Sequence, residues 1–133
     1  VYCGFISHLD EVTRLPQGAS LLASNDFTNV QAIAVTHGKG TFWATQYHPE
    51  YDLHEVARLI MARVSKLVPE GFFADQAELQ AHVERMEALH SNPERKDLRW
   101  QMDIDDDVLD ATIRQAEFAN FLDNLVLPIL SRA

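Results

Sequence analysis

Thr41-Phe42-Trp43-Ala44-Thr45-Gln46-Tyr47-His48-Pro49-Glu50-Tyr51-Asp52-Leu53-His54-Glu55-Val56-Ala57 is the stretch in which the hydrophobic period of the chain changes. Up to Tyr47 the run is crowded with β-branched and aromatic residues, the composition of a strand. Beyond Asp52, residues Leu53, Val56, Ala57, Ile60, Val64 and Leu67 recur at spacings of three and four, which predicts an amphipathic helix. Asp52 is placed to cap the first free amides and Glu55 to return the favour as a capping box, while Pro69 and Gly71 end the pattern. A strand that hands over to a helix across His48-Pro49-Glu50 makes the chain α/β.

Working upstream, short runs of strand formers are separated by Pro16-Gln17-Gly18, Ser24-Asn25-Asp26 and His37-Gly38-Lys39-Gly40. The spacing predicts strands near 20 to 24, 30 to 36 and 41 to 47, the last two joined as a hairpin through the glycine-containing loop. Working downstream, a second helix is predicted from Asp75, again with a glutamate three residues on at Glu78. It buries Leu79, Val83, Met86 and Leu89 before Asn92-Pro93. A third is predicted from about 107 to 126, with Leu109, Ile113, Phe118, Phe121, Leu122 and Leu125 on its apolar side. The organisation that follows is a strand-rich part and its first helix over residues 1–68, then a helical extension over 69–133.

With 133 residues, 47% of them apolar and 23% charged, the chain can build one real core and lies far from the composition of disordered chains. Twenty acidic against eleven basic side chains give a net charge of -9, which repels phosphate backbones and argues against nucleic acid as a ligand. No apolar run approaches the roughly 20 residues of a membrane span. The single cysteine, Cys3, excludes an intrachain disulfide and a thiolate-rich metal site, so a cytoplasmic location is the expectation. Val1 is not a methionine and no signal peptide follows it, which reads as the start of a fragment.

The candidate chemistry sits at the end of the strand. In extended chain, side chains two apart share a face, so Gln46, His48 and Glu50 project together if that conformation persists to residue 50. An imidazole beside a carboxylate at a strand's open end is the base and orienter pair of a nucleophilic enzyme. His-x-Glu alone is common by chance. It gains weight from a second segment, Ser7-His8-Leu9-Asp10-Glu11-Val12, with Leu15-Pro16-Gln17-Gly18 directly after it.

The order S-H-x-D-x-V, then L-P-x-G, then strands, then Q-[FY]-H-P-E resembles class I glutamine amidotransferases, in particular the glutaminase part of GMP synthase. The resemblance covers residues 5 to about 66. It implies the distal part of a flavodoxin-like amidotransferase sheet, which the helical extension read from the apolar spacing then follows. It implies His48 as general base and Glu50 as the carboxylate that orients it. It also implies that Ser7, Leu9 and Asp10 lie in the stretch that holds bound substrate; for His8, packing beneath the site and contact with substrate both stay open. Glutamine is the implied substrate, an ammonia-accepting synthase domain or subunit the implied partner, and no cofactor is expected.

The sequence departs from the family in one large respect: it contains no G-x-C-x-G elbow. Cys3 has no such surroundings and reads as a small buried residue. These 133 residues are therefore expected not to hydrolyse glutamine alone, and unpaired sheet edges are expected to make the chain marginal or self-associating. A rival reading is a noncatalytic module that binds a protein partner through its helical tail, using Trp100, Phe118, Phe121 and Leu125; core packing is the other use of those residues. A metal cluster of His48, Glu50 and His54 is disfavoured because His54 falls inside the helix. Asp103 to Asp107 resembles the start of a calcium loop, but the sixth and twelfth positions are Val108 and Arg114.

Overall fold

The computed structural model describes residues 3–131. Its strands are β1 (Phe5–Ile6), β2 (Ala19–Ala23), β3 (Ala32–His37), β4 (Gly40–Thr45) and β5 (Tyr47–His48). The helices are α1 (Leu53–Ala62), α2 (Val64–Leu67), α3 (Gln76–Ser91), α4 (Lys96–Met102), α5 (Asp106–Leu109), α6 (Ala111–Arg114), α7 (Ala116–Phe121) and α8 (Leu127–Leu130), with a π-helical turn over Leu122–Val126. The α/β class expected from the period change is what forms. Contacts divide the chain into two compact units: Gly4–Pro49 with Glu117–Ala133, and Val1–Cys3 with Glu50–Ala116.

The first unit holds both sheets. Strands β2, β3 and β4 form an antiparallel sheet in that order, with Ile33 opposite Ala44 and Ala34 opposite Trp43. The β3–β4 hairpin turns through Gly38-Lys39, and Gly38 supplies the positive φ of 58°. At the other end, Gly18 has φ 81°, and a Cβ there would meet the Thr36 carbonyl oxygen at 2.8 Å. The β2–β3 register slips between Leu21 and Ala23, a bulge that leaves Leu21 and Leu22 both exposed. Val30, Ala32, Ile33 and Tyr47 form its buried apolar centre. The tail closes on this sheet through Trp43 and Phe121, whose rings meet edge-on with centroids 5.8 Å apart.

The second unit is helical. Leu53 and Ala57 of α1 bury against the α1–α3 seam, where Leu79, Val83, Met86 and Leu89 form the facing stripe of α3. The Asp52–Glu55 capping box is complete in both directions, at 2.9 and 3.0 Å. Asp75 caps α3 through Glu78 N–H, as its spacing predicts, while the Glu78 carboxylate reaches back to Ala74 N–H. Helix α1 ends at Ala62, earlier than Pro69, and α2 follows separately.

The single helix predicted over 107 to 126 is instead a chain of short ones. Asp110 takes an extended conformation, and its carboxylate accepts from Thr112 and Ile113 N–H, so it ends α5 and caps α6. Short aspartate side chains compete with the helix for backbone amides, which the apolar period does not register. Farther on, Pro128, the second residue of α8, has no N–H to give the preceding turn, and the backbone before α8 widens to the π form. Trp100 is 93% exposed, so it contributes to no core. No helix among the described residues is long and apolar enough to cross a membrane.

Candidate active site

The site is built from the pairing of two very short strands. β1 runs antiparallel to β5 with Phe5 opposite His48 and Ile6 opposite Tyr47. Pro49 follows, which keeps the residue before it out of the helical region and lets His48 stay in the strand. His48 is half-buried. Strand conformation ends there: Gln46 lies in a bend between β4 and β5, and Pro49 and Glu50 lie in a turn. The two-residue alternation thus extends over Tyr47 and His48, and Glu50 opens the helical unit.

From β1 the chain continues into the loop of Ser7, His8, Leu9 and Asp10, where two side chains converge on one carbonyl. His8 Nδ1 lies 2.9 Å from the Asp10 carbonyl oxygen, which can only accept, so Nδ1 carries the hydrogen. Gln46 Nε2 donates to the same oxygen at 3.2 Å. His8 Nε2 is buried with no hydrogen-bond partner, in keeping with a ring that packs beneath the loop. Leu9 is 80% exposed, and Ser7 and Asp10 are exposed as well. The structure therefore joins the Ser7–Asp10 segment to the strand that carries His48.

Gln46 itself is anchored from behind. Its backbone N–H donates to the Gln31 carbonyl at 2.7 Å, and Gln31 N–H donates to the Ala23 carbonyl at 2.9 Å, which prolongs the β2–β3–β4 ladder to residue 46. Tyr47, buried, sends its hydroxyl to Glu117 Oε1 at 3.0 Å. Sequence reasoning missed the tie from Gln46 to Asp10. The only signal for it was the presence of Gln46 in the same motif as His48.

Cys3 departs from its expected burial: it is exposed. Its N–H donates to Asp107 Oδ2 at 2.9 Å, and its thiol and the carboxylates of Asp105 and Asp107 lie within 4.8 Å of one another. Partial burial, then the charges of Asp105, Asp107 and Asp103, push the thiol above its ordinary range. A thiol held protonated is a poor nucleophile. His54, the third member of the disfavoured metal cluster, is engaged by Glu87 of α3 at 2.8 Å. Two clefts, of about 530 Å³ beside Lys96, Asp97, Trp100 and Gln101 and about 220 Å³ beside Asp52, His90 and Arg114, both lie in the helical unit.

Strands followed by helices, with a histidine on a strand end tied to an upstream S-H-x-D loop, fit the class I glutamine amidotransferase-like superfamily, and comparison with known proteins supports that class. The chain is 33% identical over 130 residues, 96% of its length, to a gamma-glutamyl-L-1-hydroxyisopropylamide hydrolase from a Pseudomonas species, of which it spans 43%. It is 34% identical over 70 residues, 53% of its length, to gamma-glutamyl peptidase 3 of Arabidopsis thaliana, of which it spans 27%. The chain thus spans less than half the length of either relative. Neither bears the name of a GMP synthase, and the Pseudomonas likeness runs through the helical tail as well as the motifs. No protein-family model and no solved structure matches the chain.

Proposed function

We propose that this chain is the distal part of a class I amidotransferase-like hydrolase that cleaves the amide bond of glutamine or of a related γ-glutamyl compound. The names of the two relatives share γ-glutamyl chemistry, and glutamine is the simplest γ-glutamyl amide. The observation that carries the reading is the junction of the Ser7–Asp10 loop with the β5 strand of His48 through β1–β5 pairing and the Gln46 bond.

In the proposed reaction a thiolate from outside these 133 residues attacks the γ-carbonyl carbon. His48 takes the thiol proton and returns it to the departing nitrogen as the C–N bond breaks. Water, deprotonated by His48, then hydrolyses the γ-glutamyl thioester and releases glutamate. Glu50 orients the imidazole and stabilises its cationic form. Ser7, Leu9 and Asp10 form the stretch that holds the glutamyl part. With glutamine the released amine is ammonia, and an accepting synthase domain or subunit is the proposed partner. Cytoplasm is the proposed location.

The chain by itself is proposed to be inactive, since base and orienter contributions of about 10² to 10⁴ act on a nucleophile and do not replace one. The test is an assay of amine release from L-glutamine and from γ-glutamyl isopropylamide, with the 133-residue chain and with a polypeptide extended upstream through a G-x-C-x-G elbow. Release by the extended form, lost in His48→Ala, is the expected result; release by the short chain that depends on His48 would overturn the proposal.

A second reading, a noncatalytic module that binds a protein partner, draws on one observation, the nearly complete exposure of Trp100. An upstream reading frame without a nucleophile elbow, together with protein capture abolished by Trp100→Ala, would favour it.

A further inference from the structure

We infer that Gln46 is a positioning residue that sets the Ser7–Asp10 loop against the strand of His48, and that it acts on the Asp10 carbonyl, on which His8 closes the loop from within. The inference rests on reading that loop as the holder of a γ-glutamyl group. Residues 7–16 contain no helix or strand, so backbone hydrogen bonds of regular structure do not fix the loop. Two side-chain donors do so instead. His8 Nδ1–H reaches the Asp10 carbonyl from within the loop at 2.9 Å, and Gln46 Nε2–H reaches it from the sheet at 3.2 Å. A carbonyl oxygen has two lone pairs, and these two donors match them.

The two donors play different parts. His8 closes a local turn, since it binds a carbonyl only two residues on, and this bond would survive if the whole loop swung away. Gln46 is the long-range member, thirty-six residues from Asp10. Its backbone is held by Gln31 in the ladder, so its amide is presented from a rigid element. His48 is two residues farther along and is held by pairing with Phe5, the strand residue that leads into the loop. Loop and base are thereby referred to one frame. Because a misplacement of about 1 Å costs on the order of 10²-fold in oriented reactions, a tie between loop and strand is worth building.

The test uses the full 133-residue chain labelled with ¹³C and ¹⁵N, alone and titrated with L-glutamine. Gln46→Met removes the donor at nearly constant volume. It is expected to shift the Asp10 carbonyl carbon, to speed amide exchange across residues 8–11 about fivefold, as fits one neutral hydrogen bond, and to weaken glutamine binding by a similar factor. The amides of Phe5 and Tyr47 report whether β1–β5 survives. Gln46→Glu covers the case in which the methionine variant loses that pairing. Its carboxylate has no donor at neutral pH, but its protonated form regains one below about pH 4, so exchange relative to the unaltered chain at the same pH should recover there. An Asp10 carbonyl signal and loop exchange unchanged by Gln46→Met, or no recovery in Gln46→Glu, would overturn the tie. A loosened loop with unchanged glutamine affinity would overturn the positioning role and leave the substrate reading standing. Glutamine that disturbs no amide between 7 and 10 in the unaltered chain would overturn both.

Discussion

The Tyr47 hydroxyl donates to the Glu117 carboxylate at 3.0 Å, joining the strand that carries His48 to a helix seventy residues later. Tyr47 is buried, and its ring also covers Gly4, whose Cβ position lies 3.5 Å from Tyr47 Cδ2. The bond matters because β5 is two residues long and draws little support from its own ladder. Tyr47→Phe keeps the ring and removes the donor, and a hydrogen bond to a charged acceptor is worth about 1.5–3 kcal/mol. Chemical denaturation should show a loss of about that size, with Glu117→Gln losing less because an amide oxygen still accepts.

The two glycine turns of the large sheet should respond unequally. Gly18 and Gly38 both have positive φ, so alanine at either costs about 1–2 kcal/mol of backbone strain. At Gly18 the added Cβ also meets the Thr36 carbonyl oxygen at 2.8 Å, whereas at Gly38 it meets open space. Gly18→Ala is therefore expected to lower the melting temperature more than Gly38→Ala, and equal effects would show that the contact with Thr36 is readily relieved.

How far the sequence disclosed this arrangement depended on the kind of signal. Helices α1 and α3 were legible because an aspartate with a glutamate three residues on marks each start, and a period near 3.6 marks the buried face. The β3–β4 hairpin was legible from Gly38-Lys39 between two strand-forming runs. β1 and the separate pairing of β5 were not, because two residues carry no period and their partner lies more than forty positions away; Tyr47 itself fell inside the strand predicted over 41 to 47. The broken helices after Asp105 were hidden because capping by Asp110 is decided by local backbone competition, while the apolar spacing of Leu109, Ile113 and Phe118 runs through it unchanged. Exposure of Cys3 and Trp100 was equally invisible, since neither residue type says which surface it faces. Within the candidate site, His48 and the Ser7–Asp10 segment stood out as motifs, and the bond between Gln46 and Asp10 did not.

The helical unit should lose stability on mild acidification. Burial, then the Arg85 charge, lowers the His82 pKa below its ordinary 6.5, partly opposed by Glu78, and its ring lies 5.5 Å from that of Phe73. The unfolded chain therefore takes up the proton more readily than the folded one. His82's contribution is present above about pH 6.5 and is lost as pH falls from there through the lower folded-state value. Melting curves between pH 7.5 and 5 should show this loss for the unaltered chain and a smaller one for His82→Gln; the same slope in both would remove His82 as its source.

The proposed pair at 48 and 50 makes a prediction in which the two residues differ in kind. In a polypeptide extended upstream through a nucleophile elbow, His48→Ala removes the group that would take the thiol proton and later give it to the leaving amine. Turnover of L-glutamine and γ-glutamyl isopropylamide should fall to background. Glu50→Gln leaves the base in place and removes only the charge that would orient and stabilise the imidazolium, so activity should fall by something on the order of 10² or more without vanishing. Activity in Glu50→Gln equal to that of the unaltered extended chain would mean that Glu50 does not act on His48, and the carboxylate of the triad would have to be sought elsewhere.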